Sequence, residues 1–163
     1  MSTVVVEKAL KQSVGMGQVR FMEESGELVA ILGSCIGVAM YCPRLKLAGL
    51  AHVVLPESDG REAPPGRYAD TAVPYMVRQF KNRGAMLQSL TVKLAGGAAM
   101  FGRTGPMQIG INNAIAVKNA LAQGGLEVAA EHLAGGKGRR MSIDVATGDV
   151  FVEIVGQGVT LLH

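Results

Sequence analysis

The sequence of 163 residues contains no tryptophan, and its other aromatic residues are only three tyrosines and four phenylalanines. Proteins that bind single-stranded nucleic acid stack bases on aromatic side chains and carry clustered positive charge. Here the net charge is only +3, and the one dense basic cluster, Lys137, Arg139 and Arg140, lies in a glycine-rich turn. The composition therefore argues against nucleic acid as a partner.

A long apolar run is also absent from the sequence. No uninterrupted hydrophobic stretch approaches the roughly 20 residues that a membrane-spanning helix needs. Residues 1–11 lack the basic start, the apolar stretch and the cleavage site of a signal peptide. We therefore expect no membrane insertion and a cytoplasmic location. The length fits a single domain, residues 1–163, with its core within residues 14–155.

Cysteine is scarce as well, because Cys35 and Cys42 are the only two. Disulfides are rare in a reducing compartment, so we expect both thiols to be free. A zinc site formed by these two cysteines and His52 would need a fourth ligand and a closer cysteine spacing. The sequence therefore predicts no metal site.

Apolar periodicity predicts strands that occur mostly as hairpins, with a long loop at residues 56–67. The predicted hairpins are Val14–Phe21 with Glu27–Leu32, Ile36–Cys42 with Leu47–Leu55, and Arg140–Val145 with Val150–Val155. Two further strands are predicted at Leu90–Ala95 and Leu126–Glu131.

Two segments have the apolar spacing of amphipathic helices. The first is expected to be capped by Asp70 or Thr71 and to end at Gly84, and the second is expected to end at Gly124. Their predicted buried sides are Val73, Met76, Val77 and Phe80 in the first helix, and Ile111, Ala114, Ile115, Val117 and Leu121 in the second. Together with the hairpins, these two principal helices predict an α+β fold with mainly antiparallel β layers.

The loop length of the second predicted hairpin determines whether the Cys35 thiol and the His52 imidazole lie on the same face of the sheet. A two-residue loop would place Cys35 directly opposite His52, whereas a four-residue loop would place it opposite Val54, diagonal to His52 on the same face. An odd-numbered loop would send the two side chains to opposite faces. Cys42 lies seven residues after Cys35 and is expected on the other face, as a packing residue.

A cysteine beside a histidine is a candidate nucleophile, because an adjacent imidazole lowers the thiol pKa and can later protonate a leaving group. Gly33 and Ser34 allow a tight turn before Cys35 and could direct backbone N–H groups at a developing oxyanion. The alternative interpretation is that Cys35 is a small buried hydrophobe and His52 a satisfied core histidine. From spacing alone, the alternative is favoured, since free cysteine is among the most buried residue types.

Six segments, in this order, resemble the chemoreceptor glutamine deamidases of the CheD family. They are Leu32–Val38, Gly49–Pro56, Arg67–Ala72, Gly96–Phe101, Ile109–Asn113 and Gly136–Arg140. The resemblance implies an α/β sandwich like that of the catalytic domain of cytotoxic necrotizing factor toxins. It implies deamidation of glutamines in methyl-accepting chemotaxis receptors without a cofactor, with Cys35 as nucleophile and His52 as its partner.

The resemblance also has open points. The family's third active-site residue is a threonine six residues before the cysteine, where this sequence has Val29. We expect the Val29 side chain near His52. Either a backbone carbonyl or a hydroxyl such as Ser34 orients the imidazole instead, or the protein is a less active member of the family. The loop that ends at Tyr68 and the helix start at Thr71 are predicted to border a substrate groove, and the alternative is that they are an ordinary loop and helix cap.

Two other functions fit the same resemblance. Family members bind the CheC phosphatase, so the chain could be an adaptor that regulates CheC with weak or no catalysis. It could also be a cysteine amidase or esterase acting on another protein, including methylated receptor glutamates. The sequence does not separate these substrates.

Overall fold

A computed structural model of the chain describes residues 10–100, 108–154 and 156–163. Within these ranges it contains ten strands, two α-helices and a short 3₁₀ helix at Leu87–Ser89. The strands are β1 Lys11–Ser13, β2 Val19–Glu23, β3 Glu27–Leu32, β4 Ile36–Cys42, β5 Leu47–Val53, β6 Thr91–Gly96, β7 Val128–Leu133, β8 Arg139–Asp144, β9 Val150–Ile154 and β10 Gly158–Leu162. The helices are α1 Ala69–Asn82 and α2 Ile109–Gln123.

The strands form two five-stranded sheets. The first has the order β1-β3-β8-β9-β10 and the second has the order β2-β5-β4-β6-β7. Only β1 with β3 and β6 with β7 pair in parallel among the described strands, and the other pairs are antiparallel. The predicted α+β fold with mainly antiparallel layers is therefore confirmed.

The core has two layers because β4 and β5 are buried on both faces. One face carries Ala39 and Leu50, which pack in a cluster with Leu28 and Met141 of the first sheet. The opposite face carries residues such as Met40, which pack against the two helices. Strand alternation thus assigns each side chain of β4 and β5 either to the space between the sheets or to the helix layer.

The first predicted hairpin is wrong, since its two segments belong to different sheets. β2 pairs with β5 in the second sheet, and β3 pairs with β1 and β8 in the first. Glu24 and Gly26 have positive φ angles of 72° and 120° in the turn between them, where the chain crosses between sheets. Both strands bury one face in the same layered core, so their apolar pattern does not identify their hydrogen-bonding partners.

The second and third hairpins are confirmed. β4 and β5 pair in antiparallel fashion around the four-residue loop 43–46, and β8 pairs with β9. The predicted strand end at Val155 lies outside the described residues, β7 begins two residues later than predicted, and β10 was not predicted. Residues 56–67 contain no strand or helix, as predicted for the long loop. A single bridge between Leu55 and Tyr68 joins the two ends of this loop.

Helix α1 begins earlier than its predicted caps. Tyr68 is the N-cap residue, so Asp70 and Thr71 lie inside the first turn. The Asp70 carboxylate accepts hydrogen bonds from the backbone N–H and the hydroxyl of Ser58 at 3.1 and 3.2 Å, and Thr71 donates to the Pro65 carbonyl at 3.0 Å. Both side chains therefore fasten the long loop to the helix.

The predicted buried side of α1 is largely confirmed, but that of α2 is partly wrong. Val117 and Leu121 are buried as predicted, whereas Ile111 and Ile115 are 44% and 53% exposed. Asn113 is fully buried in their place. The close approach of Gly110 to the backbone of Gly97 turns the polar Asn113 toward the sheet, as described below.

Candidate active site

The turn 33–35 joins β3 of the first sheet to β4 of the second and carries Cys35. The backbone N–H of Ala98 donates to the Gly33 carbonyl at 3.0 Å, and the N–H of Gly97 donates to the Cys35 carbonyl at 2.9 Å. These bonds fasten the turn to the segment that follows β6. Gly96, at the end of β6, has a φ of 110°, and a methyl group there would overlap the Cys35 carbonyl. Glycine is therefore required for this close approach.

The β4–β5 register places Cys35 and His52 on the same face. Gly37 pairs with His52, and Cys35 lies two residues before Gly37, so the thiol is diagonal to the imidazole. Diagonal neighbours in an antiparallel pair lie about 7 to 8 Å apart. Direct opposition is therefore wrong, and the four-residue-loop alternative is confirmed. A methyl group at Gly37 would meet Met141, so this face points into the space between the sheets.

The segment 14–18 holds His52 by its side chain and its backbone. The His52 Nδ1 atom lies 2.9 Å from the Val14 carbonyl oxygen. The His52 N–H donates to Gln18 at 3.0 Å, and its carbonyl accepts from Gly17 at 2.9 Å. Because a carbonyl oxygen can only accept, the neutral ring carries its proton on Nδ1 and presents a lone pair at Nε2.

Burial favours the neutral form of both members of the pair. Burial lowers the pKa of His52, and the bond to Val14 opposes this shift to a smaller extent. Burial raises the pKa of the Cys35 thiol, and its own backbone N–H lowers it to a smaller extent. The expectation of a lowered thiol pKa is therefore wrong, because desolvation dominates. No hydrogen bond joins the thiol to the imidazole in the described part of the chain.

Val29 contributes to the site through its backbone. The N–H of Val14 donates to the Val29 carbonyl at 2.7 Å, and the Val14 carbonyl in turn faces His52. Leu28 and Ala30 belong to the cluster between the sheets, so alternation places the Val29 side chain on the other face of β3. The expectation that this side chain lies near the imidazole is therefore wrong. The expectation of a backbone carbonyl as the orienting group is confirmed, and that carbonyl is Val14.

The backbone around Ser34 leaves donors available next to the thiol. Within residues 10–100, 108–154 and 156–163, no other residue accepts from the N–H of Ser34 or Cys35, and the Cys35 N–H interacts with its own thiol. The carbonyls of Gly33, Ser34 and Cys35, by contrast, all accept hydrogen bonds. The arrangement is suited to stabilising negative charge beside the sulfur, the role predicted for the turn that contains Gly33 and Ser34.

Asn113 connects the two strand ends that carry Cys35 and His52, and the sequence interpretation missed it. Its amide nitrogen donates to the Ser34 carbonyl at 3.1 Å and to the Val54 carbonyl at 2.9 Å. The available signal was a polar residue on the side of α2 that faces the sheet. Val14 gave no comparable signal, because its contribution is a backbone carbonyl that every residue possesses.

Cys42 and Tyr68, two other residues singled out in the sequence, are buried in the packed interior of the protein. Cys42 is fully buried on the helix side, and both cysteines are free. Tyr68 is also buried, with the guanidinium groups of Arg61 and Arg67 at 5.1 and 5.7 Å from its ring centre. Contact of Tyr68 or Thr71 with a substrate stays a prediction. In the part of the chain that the structure describes, no group of three or more potential metal ligands occurs.

The glycine-rich basic turn is less solvated than its composition indicates. Arg139 is buried and donates to the carbonyls of His132, Ala134 and Lys137 and to His132 Nδ1. His132 therefore packs against this turn, with its ring nitrogen and its carbonyl both bound to Arg139. Burial lowers the pKa of Arg139. Among the described helices, none is long and apolar enough to cross a membrane.

Comparison with known proteins agrees with the resemblance in the sequence. The family model "CheD chemotactic sensory transduction" matches residues 54–154. The chain is 41% identical to the "Chemoreceptor glutamine deamidase CheD" of Thermotoga maritima over 150 residues, which cover 91% of this chain and 95% of that protein. It is 39% identical to a "Probable chemoreceptor glutamine deamidase CheD" of Symbiobacterium thermophilum, over 90% of this chain and 94% of that protein.

A further relative extends the comparison. The chain is 37% identical to a "Probable chemoreceptor glutamine deamidase CheD" of Clostridium botulinum strain Alaska E43, over 91% of this chain and 96% of that protein. The family model begins after His52. An alignment that covers 91% of the chain, however, must include both Cys35 and His52. The full-length relatives therefore extend the likeness to the segment that carries the candidate site.

Proposed function

Since the chain belongs to the CheD family, we propose that it is a protein-glutamine deamidase that converts glutamines of methyl-accepting chemotaxis receptors to glutamate. Relatives with this name match nearly the whole chain. Cys35 is the proposed nucleophile and His52 the proposed base. The observation that carries these roles is the bond from His52 Nδ1 to Val14, which leaves Nε2 on the face shared with the thiol as a proton acceptor.

The first half of the reaction forms a thioester. His52 Nε2 removes the thiol proton while the Cys35 sulfur attacks the side-chain amide carbon of glutamine. The carbonyl electron pair moves to oxygen, and the N–H groups of Ser34 and Cys35 hold the oxyanion. When the intermediate collapses, the carbon–nitrogen bond breaks, and the imidazolium protonates the departing nitrogen to give ammonia.

The second half hydrolyses the thioester. His52 removes a proton from water, and the resulting hydroxide attacks the thioester carbon. The carbon–sulfur bond breaks, and the sulfur recovers its proton from His52. The products are a receptor glutamate and the free thiol. Because burial raises the pKa of the Cys35 thiol and lowers the pKa of the His52 imidazole, we propose that His52 acts as a general base during attack rather than as the partner of a preformed thiolate.

The test is incubation with a purified cytoplasmic fragment of a chemoreceptor, followed by mass spectrometry. Each converted glutamine adds roughly one dalton, and ammonia is released. Cys35→Ala and His52→Gln should abolish conversion, whereas Cys42→Ala should retain it. Conversion that survives in Cys35→Ala would exclude the proposed nucleophile. Release of methanol from a methylated fragment, without ammonia from an unmethylated one, would identify an esterase instead.

We also propose a CheC-type phosphatase as a second partner, on the family resemblance. Removing the Cys35 sulfur leaves the outer surface unchanged, so Cys35→Ala should bind CheC with the same affinity by calorimetry. Loss of both binding and deamidation in this variant would mean that Cys35 has a structural role. A cytoplasmic location is proposed as well, since a reducing compartment keeps both thiols free.

A further inference from the structure

The side chain of Asn113 lies where the β4–β5 ladder ends. The last paired residues are Ile36 and Val53, and continuation of the register would pair Cys35 with Val54. At this point the strands stop pairing, and one amide group reaches the Ser34 carbonyl at 3.1 Å and the Val54 carbonyl at 2.9 Å. A single side chain thus connects the residue before Cys35 with the second residue after His52.

The chemistry of the amide fixes its orientation. Both partners are carbonyl oxygens, which can only accept, so the nitrogen of Asn113 must face them and Oδ1 must point away. Oδ1 is buried and has no hydrogen-bond partner in the described residues. Burying an acceptor without a partner is unfavourable, because the acceptor loses its hydrogen bonds to water. An apolar residue would avoid this cost, so the presence of asparagine requires another explanation.

The packing of α2 against the site places the side-chain amide of Asn113 next to the two carbonyls. A methyl group at Gly110 would collide with the carbonyls of Gly97 and Ala98, so the first turn of α2 packs directly on that segment. The same two residues donate their N–H groups to the turn that carries Cys35. Asn113 lies three residues after Gly110 and therefore faces the same side of the helix. The Cys35 turn is consequently held by both β6 and α2.

We propose that Asn113 is a positioning residue that sets the separation between the Cys35 thiol and the His52 imidazole. The inference rests on the proposed function and adds a residue to the same site. Asn113 lies on the helix side of the second sheet, whereas the thiol and the imidazole face the space between the sheets, so it acts through the backbone and not on the reacting atoms. A displacement of about 1 Å between reacting groups can cost about 100-fold in rate.

The test compares Asn113→Ala and Asn113→Leu with Val117→Ala. The leucine variant keeps much of the volume but loses both donors. Val117 is buried one turn further along the same side of α2 and contacts the apolar core, so its truncation controls for general destabilisation. With all variants folded at the assay temperature, both Asn113 variants should lose about 10- to 100-fold in kcat with KM changed less than about twofold. Val117→Ala should keep kcat within about twofold.

A second readout does not depend on receptor deamidation. The rate of iodoacetamide labelling of Cys35 as a function of pH reports the surroundings of the thiol. Both Asn113 variants should shift the midpoint or the plateau of this profile, and Val117→Ala should not. Unchanged kcat and an unchanged labelling profile in the Asn113 variants would overturn the proposal. If the wild-type protein deamidates no receptor, the labelling profile alone decides the role of Asn113, while the proposed function fails separately.

Discussion

The Nδ1 atom of His52 lies 2.9 Å from the backbone carbonyl oxygen of Val14. The imidazole is therefore oriented by a main-chain group whose own position is fixed by the bond from the Val14 N–H to the Val29 carbonyl. A residue at position 29 can support this chain of hydrogen bonds whatever its side chain. Valine in place of the family's threonine thus leaves the orientation of His52 intact.

Val29→Thr should not increase turnover, because the new hydroxyl would lie on the face of β3 away from the imidazole. It would stand between Ser13 and Ser142, which pair with position 29 on the two neighbouring strands. Without a partner, burial of the hydroxyl costs about 1 to 3 kcal/mol. We expect kcat within about twofold of wild type and an unchanged or lower melting temperature, measured by ammonia release and thermal denaturation. A clear rise in kcat would place the side chain beside His52 after all.

Native labelling with iodoacetamide should modify Cys35 before Cys42. Although burial raises the pKa of Cys35, this residue lies at the turn 33–35 and keeps 7% of its surface exposed. Cys42 is fully buried against the helices, with its sulfur 3.7 Å from the Ser89 hydroxyl. Access therefore decides the order, and Cys42 should react only on unfolding. Peptide mapping after limited labelling measures this order, and denatured protein, in which both thiols should react, is the control. Preferential modification of Cys42 would contradict the assignment of the nucleophile.

The β4–β5 hairpin was accessible from the sequence, since a short loop between two apolar segments leaves few pairings. The even-numbered loops placed Cys35 and His52 on one face, whereas an odd-numbered loop would have placed them on opposite faces, so the register itself came from the structure. The partners of β2 and β3 were not accessible, because strands of both sheets bury one face in the same core. The Val14 carbonyl carries no residue-type signal at all. Asn113 carried a signal, a polar residue among buried ones, but it was outweighed by the apolar residues Ile111 and Ile115, which proved exposed.

The stability of the protein should decrease as the pH falls below the ordinary imidazole pKa of 6.5. The pKa of His52 is lowered in the folded state, so the unfolded chain binds more protons in this range. The contribution of His52 is therefore complete above pH 6.5 and is lost as the pH falls through the folded value. Melting temperatures measured across this range should show the slope, and His52→Gln should reduce it.

Cys35 should produce the opposite slope at alkaline pH. Its pKa is raised above the ordinary value of 9.0, so the folded state retains a proton that the unfolded chain loses. Its contribution to stability is complete below pH 9.0 and is lost as the pH rises through the folded value. Cys35→Ala should flatten the alkaline slope of the melting temperature and leave the acid slope unchanged. An acid slope that disappears in this variant would indicate that the two groups do not titrate as assigned.

Gly96→Ala should be among the most damaging single substitutions near the site. Gly96 has a φ of 110°, which side chains rarely tolerate, and a methyl group there would overlap the Cys35 carbonyl. Backbone strain and overpacking each cost about 1 to 3 kcal/mol, so we expect a loss of at least about 2 kcal/mol in the free energy of unfolding. The segment cannot relax freely, because the N–H of Gly97 is bound to the same carbonyl.

Gly136→Ala is the matched control for this substitution. Gly136 lies in the glycine-rich turn, and a methyl group there would have no neighbour within 4 Å. We expect its free energy of unfolding to stay within about 0.5 kcal/mol of wild type. Urea denaturation measures both variants, and Cys35 labelling of folded Gly96→Ala reports whether the turn has moved. If Gly96→Ala were as stable as Gly136→Ala, with an unchanged labelling rate, then β6 would not hold the Cys35 turn in the way that the hydrogen bonds indicate.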